Sequence, residues 1–264
     1  MLIDTQGSRF QYDLVGPETE PVVCCVHALG ADHGLWAEQM PPLLSADFRV
    51  LRPDLRGHGG SRSTPGAYTM RQLADDLAAI LARLGIARVH LVGTSLGGIV
   101  CQAFAISHGD LVASLFVSDT LPVSPPGDLW AQRAKMIEQN NSVGPVVGPT
   151  MERWFTDDLR VRRPGRWQQI HDTMTATDAM DFVGCVGAMR AFDFRPQHAA
   201  IVVPTLVLCG SDDTGTPPEV NRAIAAAVPN ALYHEISGAR HCPNVEFSEQ
   251  YNLLLLDWLK AQRS

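Results

Sequence analysis

The chain has 264 residues, 45% of them hydrophobic and 19% charged, with five Trp and nine Phe, which is apolar surface enough for a packed core and excludes a disordered chain. Its 21 Lys and Arg against 28 Asp and Glu leave a net charge of −7, so a nucleic-acid partner, which needs a basic face, is not expected. No apolar run approaches the roughly 20 residues that span a bilayer, so no membrane partner is expected either.

The length favours one large α/β domain carrying an insertion. The first residues, with Asp4, Arg9 and Asp13, show no apolar signal region, which predicts a cytoplasmic protein. Cys24, Cys25, Cys101, Cys185, Cys209 and Cys242 lie in apolar segments without Cys-x-x-Cys spacing. Reduced core cysteines are therefore expected, rather than a zinc site or a disulfide framework.

Residues 2–15 alternate apolar and polar (Phe10, Tyr12, Leu14) around a Gln6-Gly7 turn and predict an opening hairpin. Short continuous apolar runs follow at Val22 to Val26, Val50 to Leu51, Val89 to Val92, Leu115 to Val117, Leu206 to Cys209 and Leu232 to Ile236. Such runs suit strands buried on both faces of a parallel sheet. Between them, Thr69 precedes a stretch whose Leu73, Leu77, Ile80 and Leu84 share one helical face, and Leu96 to His108 and Pro218 to Val228 read similarly. A closing helix is expected from about Glu246 to Lys260. Alternating strand and helix define the fold class as α/β.

From Pro122 to Pro196 the alternation stops. No strand pattern is present, and Met136, Ile137, Trp154, Phe155, Trp167, Ile170 and Met174 recur at roughly helical spacing. This predicts a helical lid, residues 122–196, inserted into a core made of residues 1–121 and 197–264.

Gly93-Thr94-Ser95-Leu96-Gly97 is a G-x-S-x-G sequence between a predicted strand and a predicted helix, the context that gives the motif meaning. Gly93 and Gly97 lack the Cβ atoms that would clash in so tight a turn, which forces Ser95 into a strained conformation with its hydroxyl exposed. The Leu96 N–H opens the helix, where the positive dipole end would stabilise a developing oxyanion.

A serine hydroxyl needs a base held by a third group. Asp212 and Asp213 follow the Leu206 to Cys209 strand, and His241 follows the next. Asp213 is the favoured acid, with Asp212 and Asp119 as rivals. Of nine histidines, His27 and His58 sit in loops after early strands, where structural hydrogen bonding or a place in the active-site wall is expected. His33, His90, His108, His171, His198 and His234 have no motif around them, and His241 is the expected base. The order Ser95, Asp213, His241 is that of α/β-hydrolases and not of chymotrypsin or subtilisin.

With His27-Ala28-Leu29-Gly30, Trp36, the run Asp54-Leu55-Arg56-Gly57-His58-Gly59-Gly60-Ser61, the serine elbow, the Gly210 to Pro218 loop and His241, the chain resembles the α/β-hydrolase fold family over nearly its whole length. Within it the chain looks most like 3-oxoadipate enol-lactonases. That likeness rests on Ser95 to Val100, Glu152 to Thr156, Ala188 to Arg195, and Asp213 with Thr216-Pro217-Pro218. One departure stands out: those enzymes usually carry Asn-Ser-Leu-Gly where this chain has His27-Ala28-Leu29-Gly30.

The resemblance implies a mostly parallel sheet of about eight strands flanked by helices, Ser95 as nucleophile, His241 as base, and Asp213 as its orienting partner. It further implies Leu29 and Leu96 as oxyanion-hole donors, no cofactor or metal, and a small ester or lactone as substrate. The implied enol-lactone carries a carboxylate, which in an apolar pocket needs a cation. Arg153, beside Trp154, and Arg190 are the lid candidates. The alternatives are another carboxylesterase or lactonase, a meta-cleavage C–C hydrolase, and a receptor that has kept the fold without turnover.

Overall fold

A computed structural model describes residues 1–263, so Ser264, the last residue of the expected second core segment, lies outside the described residues. Among the described residues eight strands form one sheet in the order β1-β2-β4-β3-β5-β6-β7-β8. The opening hairpin is present as β1 (Leu2–Thr5) and β2 (Ser8–Val15), antiparallel and joined through Gln6 and Gly7 at positive φ. β2 then pairs antiparallel with β4 (Arg49–Pro53).

From β4 onward the sheet is parallel, through β3 (Val22–Val26), β5 (Val89–Thr94), β6 (Val112–Ser118), β7 (Thr205–Gly210) and β8 (Leu232–Ile236). β3, β5 and β7 are buried at every residue, which is why they read as unbroken apolar runs. β8 departs from that expectation. It is the edge strand, with β7 as its one neighbour, and only Ile236 is buried, so Leu232 stands in solvent.

Thr69 caps α2 (Met70–Arg83) by accepting the Gln72 N–H at 3.1 Å. α3 (Leu96–Ser107) runs from the serine elbow and is buried over its first ten residues. After β3 the chain makes a 3₁₀ turn, His33–Gln39, and a short helix α1 (Met40–Ser45), neither of which the periodicity signalled. The expected closing helix is divided at Phe247 into α10 (Pro243–Glu246) and α11 (Ser248–Ala261).

Between β6 and β7 lie five α-helices, α4 (Leu129–Asn140), α5 (Gly144–Trp154), α6 (Asp157–Arg162), α7 (Pro164–Ala176) and α8 (Ala179–Met189), followed by a 3₁₀ turn, Arg195–Ala200. The two ends of this segment meet in a bridge between Val123 and Asp193. Two charged contacts tie it to the rest of the chain. Arg163 and Arg166 both bond Glu38, and Glu246 accepts from the Thr156 N–H and hydroxyl. α9 (Pro218–Ala227) packs on β7 and β8. All six cysteines are buried and free, and no helix among the described residues is long and apolar enough to cross a membrane.

Candidate active site

The chain leaves β3 toward β4 on one side and returns to β5 on the other, so strand order reverses between β3 and β5. Crevices at the carboxyl ends of strands flanking such a reversal are where open α/β sheets bind ligands. Val26 of β3 lies opposite Gly93 of β5, which sets the loop carrying Leu29 beside the turn carrying Ser95.

Ser95 sits at φ 54° and ψ −121°, a left-handed conformation costly for a non-glycine residue. The surroundings hold it there. Its N–H donates to the Ser118 carbonyl at 3.0 Å, and its carbonyl accepts from the Thr120 hydroxyl and the Ile99 N–H, both at 3.0 Å. A Cβ on Gly97 would fall well inside contact distance of the Val26 backbone, and one on Gly93 would meet the Cys101 sulfur at 2.8 Å. Those two positions therefore require glycine.

His241, on the loop after β8, places Nε2 2.8 Å from Ser95 Oγ and Nδ1 2.7 Å from Asp213 Oδ2. Since Nδ1 faces a carboxylate, it carries the proton and leaves Nε2 to accept from the serine. Burial opposes ionisation of Asp213. The charge and hydrogen bond of His241 outweigh it, as do bonds from the Thr216 hydroxyl and the Gly215 N–H, and they hold the carboxyl well below the usual range.

Neither rival acid bonds His241. Asp212 is exposed and bonds the Ser211 hydroxyl. Asp119, whose carboxylate lies within 4.8 Å of that of Asp213, is fully buried after β6 and accepts the Gly210 N–H through Oδ1, while among the described residues its Oδ2 has no hydrogen-bond partner. Burial and the charge of Asp213 push its pKa well up.

Ser95 and His241 open into a cavity of about 110 Å³ whose wall includes Leu29, Ile99, Leu121, Phe182 and Met189. Among the described residues, the Leu29 and Leu96 N–H groups donate to no protein acceptor. Trp154 is buried in the cavity wall, its ring 6.3 Å from that of His241.

Two arginines from the helices between β6 and β7 also line the cavity, the expected Arg153 of α5 and, unexpectedly, Arg133 of α4. Burial lowers the pKa of Arg153, and burial together with the charge of Arg153 lowers that of Arg133 to about 10. Arg133 lies 4.8 Å over the ring of Trp130. Among the described residues neither guanidinium forms a salt bridge, although the charge of Asp213 acts on Arg153 and partly offsets its burial.

Arg190 is not in this cavity. It is exposed just past α8 and borders a separate surface groove with Lys135 and Glu138. α8 turns Phe182 and Met189 toward the cavity, and the next residue is rotated by about 100°. Arg133 escaped the sequence reading because no motif marks it; its position on a helix that faces the serine is purely tertiary.

The sequence profile described as alpha/beta hydrolase fold matches residues 21–248, and the chain belongs to that family. It stands near the enol-lactonases. It is 28% identical over 261 residues to 3-oxoadipate enol-lactonase 1 of Acinetobacter baylyi, covering 99% of this chain and 97% of that protein. The enol-lactonase from Burkholderia xenovorans superposes with a TM-score of 0.95 at 31% identity, covering 98% of this chain and 100% of the other. A thermophilic esterase from Thermogutta terrifontis, with malate bound, gives a TM-score of 0.91 at 29% identity, covering 100% and 97%.

Proposed function

We propose that this α/β hydrolase is a serine hydrolase that opens a small carboxylated enol-lactone of the 3-oxoadipate type. The observation that carries the reading is the cavity itself. A serine bonded to a histidine opens into a small apolar space whose charged lining among the described residues, apart from His241, is two arginines that form no salt bridge, Arg153 feeling the more distant charge of Asp213.

Two like charges in such a space are unfavourable alone and become favourable around an anion. The cavity is smaller than the about 300–1,000 Å³ of drug-sized ligand sites, which suits a compact substrate. Arg153 and Arg133 would hold the substrate carboxylate, and Trp154 would wall the ring. The insertion, residues 122–196, acts in this reading as the lid of a core formed by the rest of the chain.

Ser95 Oγ attacks the lactone carbonyl carbon while its proton passes to His241 Nε2. The tetrahedral oxygen is held by the Leu29 and Leu96 N–H groups, the latter at the N-terminus of α3. The ring C–O bond breaks, and its electron pair leaves on an enolate oxygen that takes the proton from His241 and tautomerises to a ketone. Water, deprotonated by His241, then attacks the acyl ester on Ser95. A carboxylate departs, and the serine recovers its proton. Asp213 stays ionised throughout and holds His241 in the required tautomer.

Hydrolysis of another small ester is the second reading, supported by the likeness to the Thermogutta esterase. The test compares 3-oxoadipate enol-lactone with p-nitrophenyl acetate for wild type and Ser95→Ala. Preference for the lactone by several orders of magnitude in kcat/KM, lost in Ser95→Ala, is the expected result. Cleavage of the ester alone would keep the serine and discard the lactone.

A further inference from the structure

Beneath the Leu29 loop two fully buried histidines face each other, ring centres 5.1 Å apart, and the mechanism above uses neither. His27 follows β3 and His58 follows β4. His27 Nε2 accepts the Leu55 N–H at 2.9 Å, and His58 Nε2 accepts the Gly30 N–H at 2.9 Å. Each loop thus lends a ring nitrogen to a backbone N–H of the other.

Because Nε2 accepts in both rings, the ring proton lies on Nδ1. His27 Nδ1–H donates to the Ala28 carbonyl at 2.8 Å, and His58 Nδ1–H donates to the Arg56 carbonyl at 3.2 Å. Burial lowers both ring pKa values, that of His58 to about 3, which favours the neutral rings that these hydrogen bonds require.

The Ala28 carbonyl and the Leu29 N–H belong to one planar peptide and point in opposite directions. That carbonyl is held by His27 at 2.8 Å and also by the Ala31 N–H at 3.1 Å, and holding it there aims the Leu29 N–H the other way. The next peptide is fixed by the bond from Gly30 to His58. A flexible joint follows, since Gly30 lies at φ +81°, and nothing of its own side chain can restrain it. The insertion covers the same loop: a Cβ on Gly30 would lie 3.1 Å from Phe182 and 3.2 Å from Met174, and the Cys185 sulfur lies 3.8 Å from His58 Nδ1.

We infer that His27 and His58 form a reciprocal clasp of positioning residues that aims the Leu29 N–H at the tetrahedral oxygen of the reaction. The inference rests on the reading of Ser95 as nucleophile and Leu29 as oxyanion donor. A donor that must remain unpaired until the transition state has no bond of its own to orient it, so its orientation comes from the bonds on its peptide and on the following one.

The test uses His27→Phe and His58→Phe, which keep a ring and remove its nitrogens, with His58→Gln restoring an acceptor. With p-nitrophenyl acetate, each Phe variant should lose about 10- to 100-fold in kcat, with KM changed less than about twofold, a loss somewhat below that of deleting an oxyanion donor. Binding of phenylboronic acid, which forms a tetrahedral adduct on the serine, should weaken by the same factor, and His58→Gln should recover most of the loss. Sites are counted by fluorophosphonate labelling.

Unchanged kcat per labelled site, with only melting temperature or labelled fraction reduced, would mean that the histidines are merely structural and would overturn the clasp. In the wild type, ¹⁵N NMR of the histidine rings should show His27 and His58 neutral with the proton on Nδ1, and a proton on either Nε2 would overturn it without any variant. The two readings separate through Ser95→Ala. If that variant hydrolyses the ester as fast as wild type, the nucleophile assignment fails and the clasp with it. If it is inactive while both Phe variants keep full kcat, the clasp alone fails.

Discussion

At Ser95 the backbone is held in a conformation that costs of order 1–3 kcal/mol, set against bonds from Ser118, Thr120 and Ile99. Alanine tolerates that conformation no worse than serine, so Ser95→Ala should leave the melting temperature near wild type while reducing kcat by at least about 10⁴-fold. Arg153 has a different signature. Losing a charged bond to a substrate carboxylate is worth about 1.5–3 kcal/mol, or roughly 10- to 100-fold in KM. Arg153→Ala should raise KM by that much for the carboxylated lactone and far less for p-nitrophenyl acetate. Equal effects on both would remove the arginine from substrate binding.

Asp119 carries a further consequence at this scale. Its pKa in the folded chain is raised by burial and by Asp213, so its contribution to stability is complete below the unfolded carboxylate value and is lost as pH rises toward the folded value. Asp119→Asn, with no proton to lose, should therefore gain stability relative to wild type as pH climbs from about 4 to neutrality. A constant difference in melting temperature over that range would contradict the raised pKa.

At the scale of elements, the turn from β5 into α3 needs its glycines because α3 passes directly over the end of β3. Gly97→Ala sets a methyl group against the Val26 backbone, which unlike a side chain cannot rotate away. The expected cost exceeds the about 1–3 kcal/mol of ordinary overpacking, and urea titration would measure it. The same geometry explains why this element was so legible: Gly-x-Ser-x-Gly, a buried strand before it and an apolar helix after it all describe one local turn. β8 and the helices between His33 and Ser45 were less legible. β8 reads as buried through Leu232 and Ile236, yet its place at the sheet edge leaves four of its five residues outside the buried class. The 3₁₀ turn at His33 is stabilised by bonds to distant Asp54, a contact that no periodicity records.

For the molecule as a whole, the helices between β6 and β7 are tied to the rest of the chain through Glu38, which is nearly buried and bonds both Arg163 and Arg166. Removing Glu38 leaves the nearly buried Arg166 without its carboxylate while the more exposed Arg163 turns to water, so Glu38→Ala should cost about 1.5–3 kcal/mol. Limited proteolysis should then cut first within residues 122–196; an unchanged urea midpoint would show that apolar packing alone seats these helices. The chain by itself determined the strand sequence and the Gly-x-Ser-x-Gly turn, because each depends on bonding between neighbours in sequence or on one strand's burial, and it carried the chain order of Ser95, Asp213 and His241 that the family resemblance reads. Only the tertiary structure decided that Arg133 and not Arg190 lines the cavity, that Asp213 and neither Asp119 nor Asp212 bonds His241, and that His27 and His58 grip each other's loops. Those facts depend on how helix rotation and sheet order bring together residues dozens of positions apart, and a linear pattern carries no record of that rotation.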